Sequence, residues 1–206
     1  SPVHFSAGRT LLSLFLHRVE AHGDRVATQH VHGKKVVSTS WGDWARRSRT
    51  LASAFLDLGL EPGDRIAILA TTRVEWAWID IAVIMGRCIS VPLFPTETAD
   101  GCSWALNDSG ARLIIVEDPI QALKVLSKKE QNPHLEWVVV LDKEAKSPSG
   151  EIVTLPDSAS TETARPQVLR FDNLRRRGEQ ALVDQADRLD ERIRAHSADD
   201  VICIHY

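Results

Sequence analysis

Gly59-Leu60-Glu61-Pro62-Gly63-Asp64-Arg65-Ile66-Ala67-Ile68-Leu69-Ala70 is the stretch on which the fold turns. Beyond Arg65 its second half is an unbroken apolar run. Such a run suits a strand covered on both faces, which implies a mostly parallel sheet flanked by helices on both faces, an α/β fold. Its first half stops a helix, since Gly59 follows Leu58 and Pro62 blocks any continuation. Upstream, Ser40 caps that helix, with Asp43 three residues on. Trp44, Ser48, Leu51, Phe55 and Leu58 recur at intervals of four, three, four and three residues, so they form one stripe that should pack on the Arg65–Ala70 strand.

Downstream, Thr72-Arg73-Val74-Glu75 has the T-x-x-E form of a capping box and opens a helix running through Met85 to Gly86. That helix is apolar nearly all round and should be mostly buried. Strand and helix then take turns: strand Ile89–Leu93, helix Asp100–Asp108 closed by Gly110, strand Arg112–Val116, helix Pro119–Lys128 and strand Leu135–Leu141. This alternation marks a doubly wound α/β layer. Before the deciding stretch, Thr10 caps a helix over Leu11–Val19, and Arg25–Val31 and Lys34–Thr39 read as hairpin strands around a His32-Gly33 turn. After it, Lys143 to Gln167 is rich in Ser, Thr, Pro and Glu and reads as a surface excursion with a short strand at Ile152–Leu155. A helix over Asp172–Ala195 aligns Leu182, Ala186, Leu189 and Ile193, supported by Asp184–Arg188 and Asp190–Arg194 pairs at four-residue spacing. Val201–Tyr206 is a final strand. The expected organisation is an α/β subdomain with an N-terminal hairpin over 1–142, a polar surface excursion over 143–168, and a helix and last strand over 169–206.

At 206 residues the chain can bury a core without disulfide or metal staples. Its 43% apolar and 26% charged composition is that of a globular protein. A net charge of -3 argues against nucleic acid as a partner, and the one basic run, Arg175-Arg176-Arg177, sits among acids on a solvated helix. The three cysteines, Cys88, Cys102 and Cys203, form no C-x-x-C pair and cannot all pair within the chain, which fits a reducing cytoplasm. No apolar run reaches the roughly 18 residues of a membrane span, because Asp80 interrupts Trp76–Met85.

Phosphate binding in α/β proteins normally needs a glycine-rich turn through which backbone N–H groups approach the ligand. Neither G-x-G-x-x-G nor G-x-x-x-x-G-K-[S/T] occurs, and G-x-S-x-G is absent. His30 and His32 share one strand face, but two ligands with no Cys, Asp or Glu to complete them read as exposed polar residues rather than a metal site. Asp80, alone on an apolar helix, reads as a carboxylate with either a raised pKa or a local partner. The six tryptophans, including Trp41, Trp44, Trp76 and Trp78, read as core at helical spacing, with a lining for an apolar channel as the alternative.

Several stretches, in order, resemble the adenylate-forming superfamily of acyl-CoA synthetases, luciferases and peptide-synthetase adenylation domains. They are Asp24-Arg25-Val26-Ala27, Ser40-Trp41-Gly42-Asp43, Gly59 to Ile68, Arg73-Val74-Glu75-Trp76, Val91-Pro92-Leu93-Phe94-Pro95-Thr96 and Leu106-Asn107-Asp108-Ser109-Gly110-Ala111. Asp199-Asp200-Val201-Ile202-Cys203-Ile204-His205-Tyr206 is similar to the approach to the phosphate loop in long-chain fatty acid–CoA ligases. The resemblance implies the N-terminal subdomain of that fold. It also implies a parent reaction using ATP, Mg and coenzyme A: a fatty carboxylate attacks the α-phosphate of ATP, and the coenzyme A thiol then displaces AMP.

On the same resemblance Tyr206 marks the edge of the phosphate loop, and the adenine, magnesium and hinge motifs lie downstream. No catalytic, cofactor-binding or metal-binding residue is therefore carried onto this sequence, and the chain alone is expected to be inert. A fatty acid is the implied substrate. Another acid, or a non-catalytic assembly module on the same scaffold, is the alternative, and peripheral membrane contact and oligomerisation stay open.

Overall fold

The computed structural model of the protein describes residues 10–155 and 165–206. A five-stranded parallel sheet forms its centre, built from β3 (Arg65–Leu69), β4 (Ile89–Leu93), β5 (Leu113–Val116), β6 (Trp137–Val140) and β9 (Gln167–Arg170) in the order β4-β3-β5-β6-β9. The Arg65 run is thus an inner strand, with Ile66, Ala67, Ile68 and Leu69 all at 0% exposure. Alternate residues serve opposite faces, as strand geometry requires. Ile66, Ile68, Leu113, Ile115 and Val139 join one apolar cluster, and Ala67, Leu69, Ile114, Val116, Val138 and Val140 join the other.

The first cluster is covered by α1 (Leu11–His22), α2 (Trp41–Asp57), α3 (Val74–Met85), α6 (Phe171–Asp184) and α7 (Ala186–Arg194). The second is covered by α4 (Ala99–Ser109) and α5 (Pro119–Leu126). The Ser40 hydroxyl caps α2 through the Asp43 amide at 3.0 Å, as the sequence predicts. Of the predicted stripe, Ser48, Leu51, Phe55 and Leu58 are buried and Trp44 is half-buried; its apolar members share a cluster with Ile66 and Ile68, and α2 also runs closely along α3 and α6. Gly178 makes the approach to α6 so close that any Cβ there would run into the carbonyl of Thr50. Gly110 closes α4 in the left-handed conformation, φ 63.

Several expectations are corrected. The hairpin of β1 (Val26–His32) and β2 (Lys35–Ser40) turns on Gly33-Lys34, one residue later than predicted, because Gly33 takes the positive φ of 61 at the turn. The Thr72 capping box does not form. Arg73 is the N-cap of α3, and the Glu75 carboxylate instead accepts from Arg73 Nε at 2.8 Å. The predicted helix 172–195 is two helices meeting at Gln185, and its two local ion pairs are replaced by tertiary ones. Arg188 pairs with Glu61, and Asp190 with Arg49 at 2.6 Å. β9 straddles the end of the stretch read as a surface excursion, where no sheet strand was predicted. Within that stretch the predicted short strand forms as β8 (Ile152–Thr154), paired with an unpredicted β7 (Glu144–Lys146) in a small hairpin. Val201–Tyr206 runs beside β4 with a single bridge, Ser90 to Cys203, rather than as a full strand.

Candidate functional site

In an open parallel sheet the expected ligand crevice lies beyond the C-terminal strand ends, where the winding reverses. From β3 the chain steps outward to β4 and then crosses back to β5, so the reversal falls between β3 and β5. That crevice is filled by side chains. Glu117, just after β5, accepts from the Thr71 amide at 3.0 Å and the Thr71 hydroxyl at 2.6 Å. Arg73 donates to Asp142 through both terminal nitrogens, at 2.9 and 3.0 Å, and lies 3.8 Å from Glu117. Burial opposes the charge on Arg73, yet Asp142 and Glu75 hold its pKa above the ordinary guanidinium value. A cation whose charge is matched by three carboxylates braces the loops, and that surrounding negative charge disfavours phosphate beside it.

The open part of the same rim lies next to β4. Ser90 donates its amide to the Ile202 carbonyl at 2.9 Å and accepts from the Ile204 amide at 2.9 Å. These two bonds lay the terminal segment parallel to β4 and deliver Tyr206 to the C-terminal rim. From there the Tyr206 side chain reaches back along α4, its ring meeting Trp104 edge-on at 5.2 Å and its hydroxyl donating to Asp108 at 2.8 Å. Burial, then the bond to the Asp108 carboxylate and its charge, push the phenol above its ordinary pKa. Tyr206, Trp104, Pro92, Leu93, Phe94 and Glu97 border a depression of about 190 Å3. Phe94 and Trp104 are 70% and 61% exposed, so the rim presents an aromatic surface.

The terminal segment is clamped from below. Asp200 accepts from Arg87 Nε at 3.0 Å and Nη2 at 2.8 Å, and its pKa is held down to about 2, chiefly by that bond. Arg87 has φ 55, the left-handed conformation unusual for a side chain of its size, and its carbonyl accepts from Gly63 N at 2.7 Å. Arg192, 6% exposed, ties α7 to the same corner through the carbonyls of Leu60 and Gly86, at 2.8 and 3.3 Å, and through Glu61 at 2.6 Å. The Gly59–Asp64 turn, conspicuous in the sequence, is therefore an anchoring corner that holds Arg87 and α7.

Asp80 lies on α3 near the terminal segment. Burial raises its pKa, while the Ser90 hydroxyl and the charge of His205 pull it back. Cys203 Sγ is 3.2 Å from His205 Nε2. Burial and the nearby Asp80 charge both raise the Cys203 pKa, so the thiol stays protonated and is a poor nucleophile. His30 sits opposite Val37 in the hairpin, and among the described residues no three His, Cys, Asp or Glu side chains gather as a metal site. Trp44 and Trp76 donate to the carbonyls of Ala77 and Ala70 at 2.9 and 3.1 Å, and Trp78 is buried. Trp41 stacks on Trp44 at 5.6 Å, and with Phe15 the pair lines a cleft of about 460 Å3 against α1. The Tyr206–Trp104–Asp108 contact escaped sequence reading, because nothing local links position 206 to α4. Among the described residues no helix is long and apolar enough to cross a membrane.

Residues 15–206 match the family described as AMP-binding enzyme. A long-chain-fatty-acid–CoA ligase of Xenopus laevis, ACSBG2, is 28% identical over 145 residues, 70% of this chain and 20% of that protein. The Mycobacterium bovis ligase FadD15 is 33% identical over 95 residues, 46% of this chain and 16% of that protein. The chain thus spans a fifth or less of the length of these relatives. The crystal structure of coronafacic acid ligase from Pectobacterium brasiliense superposes with a TM-score of 0.65 over 95% of this chain and 33% of that one, at 14% identity, a likeness of fold alone.

Proposed function

The chain belongs to the AMP-binding enzyme family, and from that premise we propose that it forms the amino-terminal α/β portion of an ATP-dependent long-chain fatty acid–CoA ligase. In such an enzyme ATP with magnesium activates the acid as an acyl-adenylate, and coenzyme A takes the acyl group. The residues in view do not fit those groups. The sequence holds no glycine-rich loop, the crevice where the winding reverses is filled by Arg73 and its carboxylates, and no metal-holding cluster forms among the described residues. Their role in this reading is to build and brace the rim. β4 aligns the terminal segment, the Arg87–Asp200 clamp fixes its entry, and Trp104 and Asp108 seat Tyr206. The family's phosphate loop follows the position of Tyr206, and gripping polyphosphate requires a cradle of main-chain amides. The 206 residues alone are therefore catalytically inert, and any contact with a membrane belongs to the whole enzyme.

The observation that carries this reading is the parallel alignment of Val201–Tyr206 on β4, which brings the chain to the ligand-binding end of the sheet. The test is pyrophosphate exchange into ATP, measured on the whole gene product and on the 206-residue polypeptide, with palmitate, octanoate, benzoate and amino acids offered in turn. Exchange driven by palmitate in the whole product and none in the polypeptide is the expected result. Exchange driven only by benzoate or an amino acid would reassign the substrate class. Failure of the whole product to exchange with every acid offered would favour a non-catalytic assembly module, and exchange by the polypeptide would overturn its inertness.

A further inference from the structure

Beside the close contact of α2 with α6, a cleft of about 320 Å3 opens between Arg46 and Arg47 of α2, Trp78 of α3, and Phe171, Arg175 and Leu182 of α6. Its three arginines are unequally committed. Arg46 is held by Asp43 at 2.5 Å, whereas Arg175 lies 3.9 Å from Asp172 and 4.0 Å from Glu179, at the outer limit of ion pairing. Arg47 makes no ion pair among the described residues. Its guanidinium carbon instead stands 4.3 Å from the centroid of the Trp78 ring. Two N–H groups of this stack are buried without an acceptor, Arg47 Nε and Trp78 Nε1, and Trp78 as a whole is only 8% exposed. Buried donors are nearly always satisfied, and a half-buried cation is normally matched by an anion.

Those two N–H groups are shielded from the cleft itself, so an entering anion would meet the outer guanidinium nitrogens of Arg47 and Arg175, and the shielded pair marks a stack that carries no counter-ion of its own among the described residues. Phe171, Leu182 and the indole of Trp78 give the cleft an apolar side, so the ligand needs an apolar body as well as a charge. Glu179 on the lining, with Asp43 and Asp172 nearby, disfavours an extended polyanion. We propose that this cleft binds a small amphiphilic anion, with one carboxylate or phosphate head set against Arg47 and Arg175 and a short apolar body lying on Trp78, Phe171 and Leu182. The site lies on the helical layer away from the rim that carries Tyr206, and the proposal does not rest on the ligase reading.

The test follows the indole N–H resonance of Trp78, assigned with Trp78→Phe, in the isotopically labelled chain titrated with octanoate, octyl phosphate or inorganic phosphate. A saturable shift with at least one octyl ligand is expected, about tenfold or more tighter than with inorganic phosphate. The octyl ligand that binds better identifies the head group. Losing a charge-assisted bond in Arg47→Gln or Arg175→Gln should weaken binding about tenfold. Arg176→Gln, whose guanidinium bonds Asn173 outside the cleft, should bind as the unaltered chain does. Arg175 is exposed, so its variant keeps the fold and keeps the test decisive if Arg47→Gln does not. The absence of a saturable shift with both octyl ligands would overturn the proposal. So would equal affinity in the unaltered, Arg47→Gln and Arg175→Gln chains, or inorganic phosphate binding as tightly as octyl phosphate.

Discussion

Replacing Gly178 by alanine tests how closely the helical layer is locked together. The added Cβ would fall on the carbonyl oxygen of Thr50, 2.9 Å from its carbonyl carbon and 3.1 Å from its Cγ2. Two of these three atoms are backbone in the middle of α2, so no side-chain rotation relieves the clash and α6 must move outward. That movement loosens Leu174 and Ala181, which are 0% and 4% exposed, and Phe171 at the start of the helix. Forced overpacking of this kind costs about 3 kcal/mol at its upper range. Alanine is about 1 kcal/mol better than glycine in a helix, which offsets part of it. A net loss of about 2 kcal/mol is expected, lowering the thermal midpoint by about 4–8 °C for a chain of this size. Urea denaturation followed by circular dichroism measures it. Gly101→Ala is the control, because its new Cβ meets chiefly the movable carboxylate of Glu97. A Gly178→Ala chain as stable as the parent would refute the close approach of α2 and α6.

Removal of Arg192, for example Arg192→Met, leaves the carbonyls of Leu60 and Gly86 without their donor and should cost about 2 kcal/mol in the same urea assay. Arg192→Lys should recover only part of that loss, since one ammonium cannot reproduce the fork, and full recovery would contradict the geometry. Because Asp200 has its pKa depressed to about 2 from 3.8, its pair with Arg87 stabilises the fold above about pH 4, and that contribution disappears as pH falls toward 2. The Asp200→Asn chain should therefore lose less stability than the parent across that window, and parallel acid titrations of the two would count against the clamp. Burial pushes the Cys88 thiol up to about 12, and raises Cys102 and, with Asp80, Cys203 as well. A thiol-specific reagent at pH 8 should label Cys203 slowly and the other two only after unfolding. Rapid native labelling of two or more would contradict the burial.

Legibility in the sequence followed the range of the forces involved. Ser40, Gly110 and the apolar run after Arg65 act locally, through capping, a left-handed backbone and two-sided burial, and each predicted its element closely. β9 was hidden because it is an edge strand of four residues with Gln167 and Arg170 at its ends, so it shows little apolar periodicity. The break at Gln185 carries no Gly or Pro. It accompanies tertiary pairs, Arg188 with Glu61 and Asp190 with Arg49, which four-residue spacing suggested were local. Glu75 was likewise drawn from the expected capping box into the Arg73 network. At the candidate rim, the sequence marked Tyr206 as an edge, but its contacts with Trp104 and Asp108, about a hundred residues away, depend on the crossover connections of the sheet.

The alignment of Val201–Tyr206 on β4 is most directly tested by hydrogen exchange and proton–proton contacts in the 206-residue chain. The amides of Ser90 and Ile204 should be protected together, and the Tyr206 ring should show contacts to the Trp104 indole. An Ile204 amide exchanging at the rate of an unstructured peptide, with no Tyr206–Trp104 contact, would contradict the account.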